Sequence, residues 1–190
     1  MRSIRIWCVL IAALLPVPAV HGQILLPQVS HDERSGLVIH YPKGWWTTDD
    51  SPGFEIVSFP PNKRPPVILV PDNEAQIAVV CQKPDPGRGG SSIRDWLRSY
   101  RVTSENGFRI TESRVVIDEA GSVPALRTEK DLEPQFPRGV KVGYDFPLAE
   151  KLCDATLWYR GQARAVEFEA ILLAIIKHLE PDAGSRKPGA

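Results

Sequence analysis

The chain has 190 residues with 23 basic and 23 acidic side chains, 43% hydrophobic residues, 18 prolines and three cysteines. This balance leaves no strong field, which excludes the electrostatic signature of a nucleic-acid or anionic-membrane binder, where Lys and Arg stand in clear excess. The low cysteine count and the absence of Cys-x-x-Cys or His-x-x-x-His spacings point away from a metal site.

The first 22 residues read as a cleavable secretory signal peptide. Arg2 and Arg5 form a positive start, Ile6 to Leu15 carries no charge, and small residues follow near Val17-Pro18-Ala19 and Val20-His21-Gly22. An apolar run of this length is about half of the ~20 residues that cross a bilayer as a helix, so no stable membrane anchor is expected. Cys8 lies inside that run and not behind a cleavage box, which argues against lipid attachment there. With Arg2 and Arg5 removed from the 23 basic residues, 21 remain against 23 acidic ones. The mature protein is expected to be periplasmic or secreted, with one core able to bury roughly 70% of its unfolded surface.

A polar leader runs from 23 to 35. Leu37 to Tyr41 then forms a short β-rich segment stopped by Pro42 and Gly44. Phe54 to Phe59 reads as a second strand, closed by the stiff loop Pro60 to Pro66, which lacks backbone donors at four prolines and cannot enter a sheet interior. Val67 to Val70 reads as a resumed edge strand and Ala75 to Gln82 as a deeply buried one. After the loop Pro84 to Gly90, Ser92 and Asp95 make a weak capping box. Ile93, Trp96, Leu97 and Tyr100 recur at helical spacing up to Asn106-Gly107.

Three or four strands follow without helical periodicity, at Arg109 to Asp118, Val123 to Asp131, Val140 to Phe146 and Leu152 to Tyr159, so antiparallel connections are expected. Phe168, Ile171, Leu172, Ile175, Ile176 and Leu179 then mark an amphipathic helix ended by Pro181. The expected fold is α+β: a twisted, mainly antiparallel sheet of about six strands with helices packed on its faces. The domain spans 36–181, and the tail 182–190 is expected to be disordered.

Cys81 and Cys153 sit on the apolar parity of their strands, beside Ile77 and Val79 in one and Ala155, Leu157 and Tyr159 in the other. They bridge if the strands are neighbours, and otherwise stay as two buried thiols. Trp45 and Trp46 are adjacent, so along an extended chain one ring faces the core, and the other is either an exposed contact surface or packed under the neighbouring loop. The remaining polar signals read as structural. Asp49-Asp50 lacks the oxygen set of a calcium loop. His31, His40 and His178 form no triad spacing with a nucleophile, and Gly87-Arg88-Gly89-Gly90 lacks the lysine of a phosphate loop.

The run Leu37-Val38-Ile39-His40-Tyr41-Pro42-Lys43-Gly44-Trp45 resembles the opening strand of PsbP-like and related Mog-type domains, where an apolar strand ends in a Tyr-Pro-x-Gly-Trp corner. Gly121 to Thr128, with Pro124-Ala125 entering a strand, is similar to the family's turn and strand start. The apolar helix following directly on a strand agrees as well. The resemblance spans about 36 to 180, and its motifs are short and structural. It implies a PsbP/Mog-like sandwich acting as a binding or assembly module, because members of this fold share no catalytic set; they include luminal subunits of photosystem II, a nuclear Ran-binding protein and chaperones. Export excludes the nuclear role. Trp46 and the proline loop depart from the pattern.

The function expected is therefore an exported, non-catalytic module that takes an unidentified protein or small ligand, with no cofactor and no nucleic acid. Its contact region is placed at Trp45, Trp46 and Arg64. The rival readings are a hydrolase whose site assembles only in three dimensions and a carrier of a hydrophobic ligand between sheet and helix.

Overall fold

The computed structural model describes residues 24–48, 53–63, 70–83, 109–118, 121–133 and 136–182. Among these residues the chain forms ten strands, one α-helix and a single 3-10 turn at Pro61–Lys63. The strands are β1 (Gln28–Asp32), β2 (Leu37–Tyr41), β3 (Trp46–Thr48), β4 (Phe54–Val57), β5 (Ala75–Gln82), β6 (Arg109–Asp118), β7 (Gly121–Asp131), β8 (Gly139–Leu148), β9 (Lys151–Arg160) and β10 (Glu180–Pro181). The helix α1 spans Ala165–Lys177.

Seven strands build one antiparallel sheet in the order β3-β4-β5-β9-β8-β7-β6, and β1-β2-β10 form a smaller one. The expected α+β sandwich of about six strands with helices over its faces is thereby corrected. The described molecule is mostly β, with two antiparallel sheets and one helix. Its strands outnumber the expectation because several carry no apolar alternation. Gln28–Asp32, in the polar leader, has only half-buried and exposed positions, and Glu180–Pro181 is exposed. The expected helix from Ile93 to Asn106, the edge strand from Val67, the signal segment and the tail beyond Asp182 lie outside the described residues.

The period-2 rule explains the main sheet. On β5 and β9 the odd-numbered residues from Ala75 to Cys81 and from Cys153 to Tyr159 face α1 and are buried. Their partners on β8 are Val140, Val142, Tyr144 and Phe146. These meet Phe168, Ile171, Leu172, Ile175 and Ile176 of α1, whose i, i+3, i+4 spacing makes one apolar stripe. The helix approaches β9 at the middle of the sheet and β6 at its edge, so the sheet curls around it.

The small sheet closes the other side of this core. Asp32 stabilises the β1–β2 turn by accepting hydrogen bonds from the Arg34 and Ser35 amides, both at 3.2 Å. Gly36, at φ 61°, completes the reversal. Leu37 and Ile39 of β2 enter the core. β10 then brings the chain after α1 back onto β2, with Glu180 opposite Val38, and the Lys151 ammonium donates to the Ser35 carbonyl.

Candidate functional site

β2 ends in the corner Pro42-Lys43-Gly44. Gly44 has φ 82°, a left-handed conformation open to glycine at little cost, and the Trp45 amide donates to the Pro42 carbonyl at 3.3 Å. The reversal drives the Trp45 ring inward, 7% exposed, edge-on to Phe168 at 6.3 Å between centroids. Trp46 begins β3 and is 38% exposed. One tryptophan therefore locks the corner to the helix while its neighbour stands on the sheet's outermost strand.

Trp46 also starts a row across the sheet face turned away from α1. Register carries this row from Trp46 to Val57, Gln76, Trp158, Lys141 and Lys130. The Lys141 ammonium lies 5.1 Å from the centre of the Trp158 ring, a cation–π contact. Val57 belongs to a second, smaller core with Phe59, Val70 and Phe136, against which Trp158 packs. Phe59 and Val70 flank the proline loop, so the root of that loop is pinned beside the strand that pairs with Trp46. Arg64, the third residue of the expected contact region, lies outside the described residues.

Further along the same face the side chains turn polar although they are buried. Glu55 accepts from Thr48 at 2.6 Å and from the Gln76 amide at 2.9 Å. Asp145 of β8 is the cross-strand partner of Asp154 on β9. Asp145 is 4% exposed, and its Oδ1 finds no hydrogen-bond partner among the described residues. Burial, reinforced by the Asp154 charge, pushes the Asp145 carboxyl up to about 8, against a smaller pull from Lys141. At neutral pH Asp145 is therefore held as a neutral acid beside Asp154. Alternation alone does not separate a buried polar position of this kind from a solvent-facing one. The signal that was open to sequence reading is that both aspartates sit on the non-apolar parity of neighbouring strands.

On the helix side, Arg127 of β7 grips Glu169 of α1 with two donors, Nε at 2.7 Å and Nη2 at 3.1 Å, and reaches Glu129 with Nη1 at 2.5 Å. The Tyr144 hydroxyl donates to the same Glu169 oxygen at 2.7 Å. Burial pushes Glu169 up, but the hydrogen bonds from Arg127 and Tyr144 outweigh it and hold the carboxyl below its ordinary range. Burial first, then the bond to Glu169, lifts Tyr144 to about 12. The whole set is engaged within itself, which suits a clamp between helix and sheet better than a site for incoming substrate.

A groove of about 600 Å³ opens beside the start of α1, lined by Asn73, Asp131, Glu133, Arg138 and Gln162 among others. Its floor is a junction of three turns. The Asn73 amide donates to the Arg160 carbonyl at 2.8 Å and the Gly161 amide to the Arg138 carbonyl at 3.1 Å, and all three of Asn73, Arg138 and Gly161 have positive φ. Asp72 joins Arg138 and Arg160 at 2.6 and 2.9 Å.

The histidines stand apart from these features. His31 meets Asp182 at 3.5 Å, and the His40 and His178 rings lie 6.2 Å apart. Cys81 and Cys153 are cross-strand partners in the central pair β5 and β9, with Cα atoms 4.1 Å apart and their sulphurs joined. No described helix is long and apolar enough to cross a membrane.

No protein-family model matches the chain, and no curated protein matches it. Solved structures share its fold, among them the following two. A crystal structure from Bacteroides thetaiotaomicron VPI-5482 is 14% identical with a TM-score of 0.51, and the match covers 87% of this chain and 51% of that one. This chain thus spans about half the length of the Bacteroides chain. The solution structure of cyanobacterial PsbP (CyanoP) from Synechocystis sp. PCC 6803 is 12% identical with a TM-score of 0.50, and the match covers 81% and 91% of the two chains. At these identities the likeness is one of fold. It supports a PsbP-like arrangement and lends nothing to the Mog-type part of the resemblance.

Proposed function

We propose that this chain is an exported, non-catalytic binding or assembly module that docks on a protein partner through the Trp45–Trp46 corner and the root of the proline loop. The observation that carries the reading is the position of Trp46. Its indole is 38% exposed on the edge strand β3, while Trp45 before it is buried against Phe168 and its cross-strand partner Val57 is buried in the Val57–Phe59–Val70–Phe136 cluster. A large aromatic on a rigid support loses little freedom when it is covered, which is how interface anchors work. The PsbP-like fold agrees with a module of this kind.

Export is part of the same reading. A disulfide between the two central strands persists in an oxidising compartment and not in a reducing cytosol, and the charge pattern of the first 22 residues has the form of a signal peptide. The hydrolase reading draws no support from Asp145, because its carboxyl is 4% exposed and lies on the face opposite the groove.

The test is affinity capture of the tagged protein from the envelope or medium of its host. The native chain is expected to retain a partner that Trp46→Ala releases, while Val166→Ala, a change at an exposed position on α1, leaves the partner bound. Retention by Trp46→Ala overturns the proposed contact region.

A further inference from the structure

The two edges of the seven-stranded sheet are unlike. β3 is three residues long, whereas β6 runs for ten. A long edge strand presents a row of backbone N–H and C=O groups to any second strand, and proteins blunt such edges by shortness, bulges or charge. Among the described residues no strand pairs with the outer side of β6. Its ladder with β7 is regular from Arg109 to Val116, and the irregularity comes only between Val116 and Asp118.

On the face away from α1, β6 presents Ile110, Glu112, Arg114 and Val116. Glu112 and Arg114 are exposed and Val116 is 46% exposed. Edge charges ordinarily deter a second copy. Here their order is self-complementary about Ser113. An antiparallel pairing of β6 with itself, centred on that residue, sets Ile110 opposite Val116 and Glu112 opposite Arg114, and repeats both contacts by symmetry. Arg114 also binds its own hairpin, its Nε donating to Ser122 Oγ at 2.8 Å and its Nη2 to the Ser122 carbonyl on β7, so the contact with the second copy's Glu112 requires the guanidinium to turn outward from these bonds.

We propose that β6 pairs antiparallel with β6 of a second copy of this chain, centred on Ser113, so that two seven-stranded sheets become one. The symmetry axis stands perpendicular to the sheet, which keeps Ile110, Glu112, Arg114 and Val116 of both copies on a common face and makes the interface isologous. Opposite charges and apolar pairs directly across an antiparallel ladder stabilise it, and like charges there destabilise it. A strand from a different protein would have no need of this symmetry, and that is the reason for assigning the edge to a second copy.

Two measurements on the purified exported protein test the pairing. The first is disulfide trapping. Cα atoms directly opposite in an antiparallel pair are about 4.5–5.5 Å apart, within disulfide reach. Ser113→Cys is expected to give a covalent dimer under mild oxidation. Thr111→Cys is not, because its counterpart is the partner's Val115. The second is sedimentation. The native chain is expected to dimerise, Glu112→Arg and Arg114→Glu each to weaken the dimer by at least about tenfold, and the double exchange to recover it. A monomeric native chain, no trapping at 113, equal trapping at 111, or a double variant as weak as the single ones overturns the proposal.

Discussion

Asp145 on β8 stands directly across from Asp154 on β9, on the sheet face away from α1, with one of its carboxyl oxygens buried and without a hydrogen-bond partner among the described residues. Two carboxyls in register disfavour simultaneous ionisation. Burial first, and the Asp154 charge second, lift Asp145 from its ordinary 3.8 to about 8. Between those values the folded chain holds a proton that the unfolded chain has released, so stability falls as pH rises through this window.

Asp145→Asn removes that penalty. The variant is expected to lie close to the native chain in urea unfolding at pH 4 and to exceed it at pH 8.5 by on the order of 5 kcal/mol. An equal difference at both pH values contradicts the account.

The bridge between Cys81 and Cys153 closes a loop across 72 positions of sequence. Constraint of the unfolded chain by a loop of that size stabilises the fold by about 4 kcal/mol. Cys81→Ala with Cys153→Ala is expected to lose about that much in urea unfolding. Reductant is expected to destabilise the native chain and leave the double variant unmoved.

Arg127 and Glu169 join β7 to α1 through two hydrogen bonds at a site less than a third exposed. A double-mutant cycle with Arg127→Met and Glu169→Gln is expected to return a coupling of about 1.5 kcal/mol at pH 7. Glu169 is held below its ordinary pKa, so this contribution is present above the unfolded value of 4.5 and is lost as pH falls through the lower folded one. The coupling measured at pH 3 is therefore expected to be smaller.

Period-2 alternation was enough to read Ile77, Val79 and Cys81 and their counterparts on β9 as one inward face, and the spacing from Phe168 to Ile176 as the helix laid over it. Register was not legible. That Cys81 meets Cys153 and Asp145 meets Asp154 depends on pairings between strands distant in sequence and on the turn lengths between neighbours. The β8–β9 turn is only Ala149-Glu150, with Ala149 at φ 53°, and lacks the glycine or asparagine that marks such turns. Polar edge strands such as Gln28–Asp32 escaped for the opposite reason: they form by pairing, not by burying an apolar face. Of the expected contact region, the opposed directions of Trp45 and Trp46 follow from chain geometry, but the small core that roots the proline loop joins Val57, Phe59, Val70 and Phe136 from separate segments, and no local pattern announces it.

The central claim, that Trp46 marks the surface on which a partner docks, is tested most directly by photocrosslinking in the exporting cell. A photoreactive phenylalanine analogue would replace Trp46 in one strain and Val166 of α1, 85% exposed, in another. The account predicts one discrete crosslinked partner from position 46, competed away by excess native protein, and none from position 166. No adduct at position 46, or the same adduct from both positions, would contradict it.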